Sequence, residues 1–511
     1  MSDWTAGYVA DIGYTYGYYT ELNPQRVKLA FLNQGLVFPE VGAACELGFG
    51  QGLSANMHAA ASVTQWHGTD FNPAQAGYAQ ALAAVSGNGA CLYDEAFAEF
   101  AQRSDLPEFD YIGLHGIWSW ISDTNRQVIV DFLRSKLKVG GVLYISYNTL
   151  PGWAAFAPMR HLMTEHAQVL GSEGGGIVNR INGAMDFAQK MLATNPAFSR
   201  ANPLVGDRLT KMQAHSRDYL AHEYFNRDWH PMHFATMAEW LEGAKVQFAC
   251  SANYLDHIDV INLSTDQQVF LKDIPDAMFR ETTRDFMVNQ QFRKDYWVKG
   301  ARKLNPLEQT EIMRAQRVVL TSHRADVSLT LNGSVGEISL SEAIYAPVLD
   351  SLANHQPQSL GQIEHAMQDQ GISLAQIMQL TLVLAGTGHL ALVQDDAVVQ
   401  AAKPKTDKIN THIMQGSRGS NEVGYLASPV TGGAVTVNRF QQLFLLAIQQ
   451  GLQTPAQWAA FVWSQLQLQS QKLVKAGETI ESAEDNVAEL TAQAEEFQLK
   501  LLPVLKALQI A

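Results

Sequence analysis

Three glycines stand at alternate positions in the segment ELGFGQGLS, which directly follows the apolar run VGAAC. They are Gly48, Gly50 and Gly52, and the acid Glu46 comes two residues before the first of them. Glycines in a turn between a strand and a helix let the backbone approach a nucleotide-like ligand closely. The segment therefore predicts a binding turn for such a ligand.

Two more acids, Asp70 and Asp94, end the next two predicted strands. A dinucleotide-binding turn requires a third glycine at the position of Leu53. The spacing instead resembles motif I of class I S-adenosylmethionine methyltransferases. The resemblance implies that the glycines and Glu46 hold the methionine part of the cofactor. It also implies that Asp70 accepts the ribose hydroxyls and that Asp94 lies near the adenine amine.

Further residues beside these positions are assigned to the same cofactor site. Phe49, Phe71 and Glu95 are next to the glycines and the two acids in sequence. Tyr14 and Tyr19 belong to a group of four tyrosines before the first strand, where this fold often covers the cofactor. Phenol hydroxyls there can bond the cofactor carboxylate, although such a cluster equally suits packing. We expect one or two of the four to contact ligand.

The elements that position these residues follow from the pattern of apolar runs. Residues 40–147 alternate short apolar runs with amphipathic segments, which is typical of a parallel sheet wound with helices. The predicted strands are 43–47, 66–70, 90–94, 111–115, 142–148, 246–250 and 257–263. The pattern therefore predicts an α/β fold class with a Rossmann-like seven-stranded sheet, and the resemblance at the glycine turn implies the class I methyltransferase type.

We predict four segments along the chain. They are a methyltransferase core at 1–265 with a helical insertion at about 151–228, a connector at 266–328, a winged-helix-like regulatory domain at 329–400 and a mostly helical C-terminal region at 401–511. The insertion is expected to lie over the carboxyl end of the sheet, where ligands of such folds bind. The basic run Lys403, Lys405 and Lys408 is interpreted as a flexible connector.

Composition excludes several classes of protein. An apolar content of 47% with 17% charged residues suits a globular chain rather than a disordered one. No run of eighteen apolar residues and no secretory signal is present, so we expect neither a membrane span nor export. The three cysteines lie in apolar runs as reduced core residues would, which favours a cytoplasmic location.

Nucleic acid is not an expected partner. The formal net charge is −14, and the predicted recognition helix of the winged-helix-like segment, 373–386, carries no Lys or Arg. Binding to phosphates would require a strong local basic patch. A protein-docking or dimerisation module fits that segment better, so a homodimer is a possible assembly.

A resemblance to one family becomes specific at two segments, FDYIGLHGIWSWIS (109–122) and LKVGGVLYISYNTLPGW (137–153). They resemble signature segments of bacterial methyltransferases that carry a methyltransferase regulatory domain. The segments at 14–24, 230–263 and 425–433 are similar to those of rickettsial outer-membrane-protein lysine methyltransferases. The resemblance implies a class I core with a helical insertion and S-adenosylmethionine as the cofactor. It also implies methyl transfer to lysine ε-amines of a protein substrate.

Four residues are candidates for the acceptor side of the site. His115 follows the fourth predicted strand and is a candidate general base or substrate orienter, or it packs on the cofactor. Trp118 is a candidate wall of an amine pocket through cation–π contact. Tyr147 and Asn148 follow the fifth strand at the same edge, and the Asn148 carbonyl can hold an amine.

Alternative interpretations of the chain stay open at this point. A methyltransferase for a small molecule or a glycan would use His115 as a base, and a cofactor-sensing interaction protein would perform no catalysis. A metal site is not expected, because the histidines and acids between 222 and 259 contain no HExxH pattern. Those side chains are interpreted as helix caps and hydrogen-bonding groups.

Overall fold

The computed structural model describes residues 5, 7–9 and 12–511, with only the backbone of Glu173. Seven strands of this described chain form one sheet in the order β3-β2-β1-β4-β5-β7-β6. They are β1 (Ala43–Leu47), β2 (Gln65–Thr69), β3 (Cys91–Tyr93), β4 (Phe109–Leu114), β5 (Leu137–Asn148), β6 (Gln247–Ser251) and β7 (Phe292–Val298). The first five strands pair in parallel, and β7 is antiparallel to both of its neighbours. The predicted α/β class with a Rossmann-like seven-stranded sheet is confirmed.

The prediction of a strand at 257–263 is wrong. Those residues form the end of a 3-10 turn and the short helix Asp259–Asn262, and the seventh strand is β7, within the segment predicted as a connector. The sequence of β7 conceals a strand because Arg293 and Asp295 stand in its middle. Both side chains are nevertheless buried, and they neutralise each other through an ion pair of 2.9 Å.

Five helices surround the parallel part of the sheet. They are α1 (Gln25–Asn33), α2 (Leu53–Ala61), α3 (Pro73–Ser86), α4 (Phe97–Ala101) and α5 (Asp123–Lys136). Asn72 caps α3 by accepting a hydrogen bond from the Ala74 N–H, and Pro73 opens the helix. Ser122 caps α5 by accepting a hydrogen bond from the Asn125 N–H.

The predicted helical insertion is confirmed after the carboxyl end of β5. Its helices are α6 (Leu150–Trp153), α7 (Ala157–Val169), α8 (Gly176–Ala193), α9 (Ala197–Ala201), α10 (Leu204–Met212) and α11 (Arg217–Tyr224). They share a core of their own, built around side chains such as Trp153, Met163 and Ile181. This separate core lets the insertion fold as a layer above the edge of the sheet where the glycine turn lies.

The chain then returns to the sheet through further helices. They are α12 (Phe234–Glu242), α13 (Asp259–Asn262), α14 (Thr265–Lys272) and α15 (Ala277–Met287). A winged-helix-like segment follows, in which β11-β8-β12 form a three-stranded sheet. Its elements and the hairpin beside it are α16 (Pro306–Ala315), β8 (Arg317–Leu320), β9 (Thr330–Gly333), β10 (Gly336–Ser339), α17 (Glu342–Ser351), β11 (Gln358–Ser359), α18 (Leu360–Ala366), α19 (Leu374–Gly386) and β12 (Leu390–Leu392).

The remainder of the chain is mostly helical, as predicted. Its elements are α20 (Asp396–Gly416), β13 (Tyr425–Ser428), β14 (Gly433–Thr436), α21 (Arg439–Gln449), α22 (Pro455–Gln467), β15 (Val474–Lys475), β16 (Glu478–Thr479), α23 (Ala483–Glu496) and α24 (Leu502–Ala507). Across the described residues, none of the helices combines the length and the apolarity that crossing a bilayer would require.

The interpretation of the basic run as a flexible connector is wrong. Lys403, Lys405 and Lys408 lie on α20, which packs on α2 and α3. The Lys405 ammonium donates to the main-chain carbonyls of Ala59 and Ser62, at the carboxyl end of α2. A cation there satisfies carbonyls that the helix leaves unbonded. The run therefore ties the C-terminal region to the helix that follows the glycine turn.

Candidate functional site

The glycine turn lies between β1 and α2 and requires glycine for two reasons. Gly48 and Gly52 have φ angles of +72° and +65°, which L side chains rarely adopt. A Cβ atom at Gly48 would lie 2.4 Å from Cδ1 of Ile117. A Cβ atom at Gly52 would lie 2.4 Å from the Cβ of Ala79. Glycine at position 48 leaves room for Ile117, which lines the cleft, and glycine at position 52 lets α2 lie close to α3.

Asp70 follows β2 and is aimed at the glycine turn. Its two carboxylate oxygens accept hydrogen bonds from the Gly50 N–H at 2.8 Å and from the Asn72 N–H at 3.0 Å. Burial raises the pKa of Asp70 to about 6, although these two N–H groups lower it. Each oxygen retains capacity for a further donor, so the carboxylate can accept two hydroxyl groups of a ligand.

Glu46 lies near the end of β1 beneath the turn and is only 3% exposed. Its Oε2 atom is buried without a hydrogen-bond partner among the described residues. Burial, and then the charge of Asp70, raise the pKa of Glu46 to about 8. A buried carboxyl oxygen without a hydrogen-bond partner destabilises the fold unless a donor binds to it. An ammonium group of a ligand would be such a donor.

Aromatic side chains form the walls of the cleft above these acids. Tyr14 packs against the turn so closely that a Cβ at Gly50 would lie 3.2 Å from its ring. The N-terminal segment is held there because the Tyr19 N–H donates to Oγ of Ser54 at 2.9 Å. The predicted residues that line the cleft are Tyr14, Tyr19, Glu46, Gly48, Phe49, Gly50, Asp70, Phe71, Glu95 and His115.

Two residues assigned to the cofactor do not line this cleft. Gly52 faces α3, as described above, and Asp94 is exposed to solvent. The next residue, Glu95, lines the cleft and pairs with Arg103 at 2.6 Å. The role of Asp94 at an adenine amine therefore stays a prediction, and the carboxylate that reaches the cleft beyond β3 is that of Glu95.

His115 lies at the centre of the cleft in an aromatic stack. Its ring is parallel to that of Tyr19, with 3.9 Å between the ring centroids. Its Nδ1 atom is 2.7 Å from the Tyr144 hydroxyl. Burial lowers the pKa of His115 to about 4, while Glu21 raises it and Lys294 lowers it. The imidazole is therefore neutral at pH 7 and a weak base.

Trp118 and Tyr147 were predicted on the acceptor side, but neither side chain lines the cleft. Both are fully buried in the core around β4 and β5. The Trp118 Nε1–H faces the sulfur of Met232 at 3.3 Å, and the Tyr147 hydroxyl donates to Asp295 at 2.9 Å. Their contacts are those of side chains that support the rim from beneath.

Replacement of Tyr147 by phenylalanine tests this supporting role. The variant loses a hydrogen bond to a charged carboxylate, so we expect the free energy of unfolding to fall by about 1–3 kcal/mol. Urea denaturation would measure the change, with Tyr16→Phe, at a partly exposed phenol, as the matched control. An unchanged stability of Tyr147→Phe would show that the bond to Asp295 contributes nothing.

Asn148 ends β5 and is 1% exposed. Its main-chain N–H donates to Oγ of Ser119 at 2.8 Å, and its carbonyl accepts from the Met232 N–H at 3.0 Å. The backbone on both sides of the residue is thus fixed. Its side-chain Nδ2 is buried without a hydrogen-bond partner among the described residues.

Several residues around the cleft were not assigned from the sequence. Tyr8 lines it from the N-terminal segment, and Trp120 lines it from the segment after β4. Glu223 of α11, considered only as one of the possible metal ligands, has its pKa raised by burial to about 7. Proximity to the HGIWSW motif was a usable signal for Trp120, whereas no local pattern points to Glu223. Among the described residues, no cluster of three or more His, Cys, Asp or Glu side chains could hold a metal ion.

Comparison with known proteins extends these observations. A model of the family described as a predicted methyltransferase regulatory domain matches residues 216–299. An uncharacterized Synechocystis protein, sll1526, is 38% identical over 513 residues, which cover 99% of this chain and all of that protein. A Rickettsia prowazekii protein, RP789, is 26% identical over 202 residues, 39% of this chain and 35% of the relative.

Among solved structures, PKMT2 from Rickettsia typhi in complex with AdoHcy matches with a TM-score of 0.69 at 16% identity. The match covers 95% of this chain and 98% of that protein, and a second structure of PKMT2 gives 0.68. Together with the strand order and the glycine turn, this likeness defines a class I methyltransferase fold. The chain belongs to the same family as the Synechocystis protein, and its residues 216–299 match the methyltransferase regulatory domain.

Proposed function

We propose that the protein transfers methyl groups from S-adenosylmethionine to lysine ε-amines of a protein substrate. One observation carries the proposal: the glycine turn, the Asp70 carboxylate and the unpartnered carboxyl of Glu46 converge on one cleft. The glycine turn leaves room for a part of that cofactor that lies against the backbone. Asp70 can accept hydrogen bonds from its hydroxyl groups, and Glu46 can pair with its cationic group. The fit extends to the walls, where the faces of Tyr14 and Phe49 are available to apolar parts of the ligand.

The roles of the chain's residues follow from their chemistry. Glu46 accepts hydrogen bonds from an ammonium group, and Asp70 accepts them from two neighbouring hydroxyls. When bound, the cofactor supplies a methyl group on a sulfonium, which an uncharged nucleophile can accept by in-line displacement. The aromatic walls around Tyr19 and His115 exclude water from the part of the cleft where the methyl group would lie. Orientation of the reactants and exclusion of water supply most of the rate acceleration in such transfers.

Lysine as the acceptor is supported by resemblance and by the surroundings of the cleft. The segments at 14–24, 230–263 and 425–433 resemble those of rickettsial outer-membrane-protein lysine methyltransferases. The fold is shared with Rickettsia typhi PKMT2, which was solved with AdoHcy. A protein substrate would reach the cleft over the insertion, and a homodimer and a cytoplasmic location stay predictions.

A transfer assay tests the proposed function. The full chain would be incubated with tritiated S-adenosylmethionine and bacterial protein extract, and labelled protein would be hydrolysed in acid. We expect the label to be recovered as methyl-lysine and to disappear with the Asp70→Ala variant. Label found only in small molecules would contradict the proposal and favour the small-molecule alternative, and no turnover to AdoHcy would favour a cofactor-sensing protein.

The pH dependence of the rate shows whether His115 acts as a general base or only lines the cleft. Because burial lowers the pKa of His115 to about 4, its ionisation state does not change between pH 6 and pH 8. We therefore expect His115→Asn to reduce the rate without removing any inflection near pH 6.5. An inflection near pH 6.5 that is present in the wild type and absent from His115→Asn would identify the histidine as the base.

A further inference from the structure

Glu223 of α11 lies at the meeting point of the helical insertion and the cofactor cleft. Its main-chain carbonyl accepts a hydrogen bond from Nε1 of Trp120 at 3.1 Å, and Trp120 itself lines the cleft. Burial, and then nearby charges that include Glu223, raise the pKa of the Tyr8 and Tyr14 phenols on the opposite wall. The acid is therefore close to both walls of the cleft.

The carboxylate of Glu223 lacks a cationic partner. Among the described residues no salt bridge joins it to a cation, since Arg208, whose charge lowers its pKa, lies over the Trp153 ring with 3.8 Å to the ring centre. Asn148 faces the carboxylate and also lowers its pKa, but its Nδ2 has no hydrogen bond of standard geometry. A half-buried carboxylate without a paired cation and a buried amide nitrogen without a partner thus stand together.

Aromatic rings pack on the two residues that flank Glu223 in α11. The rings of Tyr8 and Tyr14 contact that of His222, the residue before Glu223, with 5.4 and 5.0 Å between centroids. On the side of the insertion, Trp153 contacts Tyr224, the residue after it, with 5.8 Å between centroids. A cation is attracted to the faces of such rings and to a carboxylate near them. The Glu223 carboxylate and these rings therefore have the chemistry of a site for a primary ammonium group.

We propose that Glu223 and Asn148 form the subsite that receives the acceptor ammonium and takes up its proton. The inference rests on the proposed function and names the residues that prepare the acceptor. The Glu223 carboxylate accepts one proton from the ammonium, which frees the nitrogen lone pair. That lone pair forms the new N–C bond while the electron pair of the broken C–S bond stays on sulfur. The methylated nitrogen retains the positive charge, and Glu223 later releases its proton to solvent.

Asn148 is a positioning residue in this scheme. It closes β5 with its backbone fixed by Ser119 and Met232, so its side chain has little freedom to withdraw from the subsite. Its amide oxygen can accept a hydrogen bond from the amine after the proton has moved. The arrangement gives the nitrogen two acceptors, which hold it while its lone pair is directed to the methyl carbon.

The groups that face Glu223 leave it as the titrating member between pH 7 and pH 9. They are Tyr8, Tyr14, Tyr219, Tyr224 and Arg208, with His222 beside it. Burial raises the pKa of each tyrosine above 10 and lowers that of His222 below 6.5, so these side chains are neutral above pH 7. Binding of an ammonium is therefore expected to strengthen as Glu223 ionises near pH 7.

The test measures binding of a lysine side chain to the full chain saturated with AdoHcy. The probes are Nα-acetyl-lysine methylamide and its norleucine analogue, which lacks the amine. We expect Glu223→Gln to weaken binding of the lysine probe at pH 8 by roughly 10- to 100-fold, as for loss of a charged hydrogen bond. Binding of the norleucine probe and of AdoHcy should change by less than about two-fold. Glu165→Gln, at an exposed acid of the same insertion, is the matched control.

Several outcomes would overturn the inference. The first is that Glu223→Gln binds the lysine probe as tightly as the wild type does. The second is that the binding of this probe depends on pH in the same way in the variant and in the wild type. The third is that the wild type binds the lysine and norleucine probes equally well. If Glu223→Gln fails to bind AdoHcy, Asn148→Ala tests the same loss of lysine binding.

The inference and the proposed function can fail separately. If Glu223→Gln forms methyl-lysine as well as the wild type does, the proposed subsite is contradicted and the proposed function is not. If the lysine probe binds through Glu223 but no methyl-lysine is formed, the proposed function is contradicted and the subsite is not.

Discussion

Asp70→Ala is expected to weaken binding of AdoHcy by roughly 100-fold or more, because two charge-assisted hydrogen bonds to hydroxyls are lost. The substitution also removes a hydrogen bond within the protein. The Asp70 carboxylate holds the Gly50 N–H at 2.8 Å, so its removal also frees the glycine turn. Titration calorimetry with AdoHcy measures the affinity, and thermal denaturation of the ligand-free chain checks that the variant is folded.

Asp94→Ala is the matched control, since Asp94 ends the neighbouring strand but is exposed and does not line the cleft. We expect its affinity for AdoHcy to stay within about two-fold of the wild type. A loss as large as that of Asp70→Ala would instead support the sequence-based assignment of Asp94 to the adenine amine. An Asp70→Ala variant of unchanged affinity would contradict the proposed cofactor site.

Glu46→Gln is expected to weaken binding of AdoHcy by roughly 10- to 100-fold at pH 8.5, because the variant cannot form an ion pair with the ligand ammonium. At pH 6 the difference should be smaller. Burial, and then the charge of Asp70, raise the pKa of Glu46 to about 8, so ligand binding to the wild type at pH 6 must first remove a proton. The wild-type affinity should therefore rise with pH up to about 8, and that of the variant should not.

The stability of the ligand-free chain provides an independent readout for Glu46. Its pKa rises from 4.5 to about 8 on folding, so between these values the folded state binds more protons than the unfolded state. The free energy of unfolding then falls as pH rises through this window, by at most about 1.4 kcal/mol per pH unit from this group. Glu46→Gln should lack this contribution, and Glu40→Gln, at an exposed acid, should keep it. Identical pH profiles for Glu46→Gln and the wild type would contradict a buried, unpaired Glu46.

Much of the fold was predictable because its signals are local. Alternating apolar runs marked β1 to β5 within a few residues, and Asn72 and Ser122 cap the helices that follow them. β7 was missed because Arg293 and Asp295 are charged, and ion pairs within the fold, including the one between them, make their burial tolerable. α20 was missed because its lysines suggested a solvated segment, whereas Lys405 caps another helix.

In the candidate site, too, the residues with a local sequence signature were predicted and those without one were not. The glycine turn with Glu46 and Asp70 was found because a turn of positive φ and an acid at a strand end leave their signature in adjacent residues. Tyr147 was misplaced because alternation along a strand does not tell which face meets the cleft, and its hydroxyl turns to Asp295. Glu223 has no local signature at all.

The sequence by itself determined the α/β order of elements, the glycine turn and the acids that follow β1 and β2, since these depend on backbone conformation and residue type over a few neighbouring positions. Only the tertiary structure decided which polar groups face the cleft. It brought Glu223 of the insertion to Asn148 at the end of β5 and left Asp94 in solvent. Burial and the pKa values that follow from it arise from contacts between segments distant in the chain, and no short stretch of residues encodes those contacts.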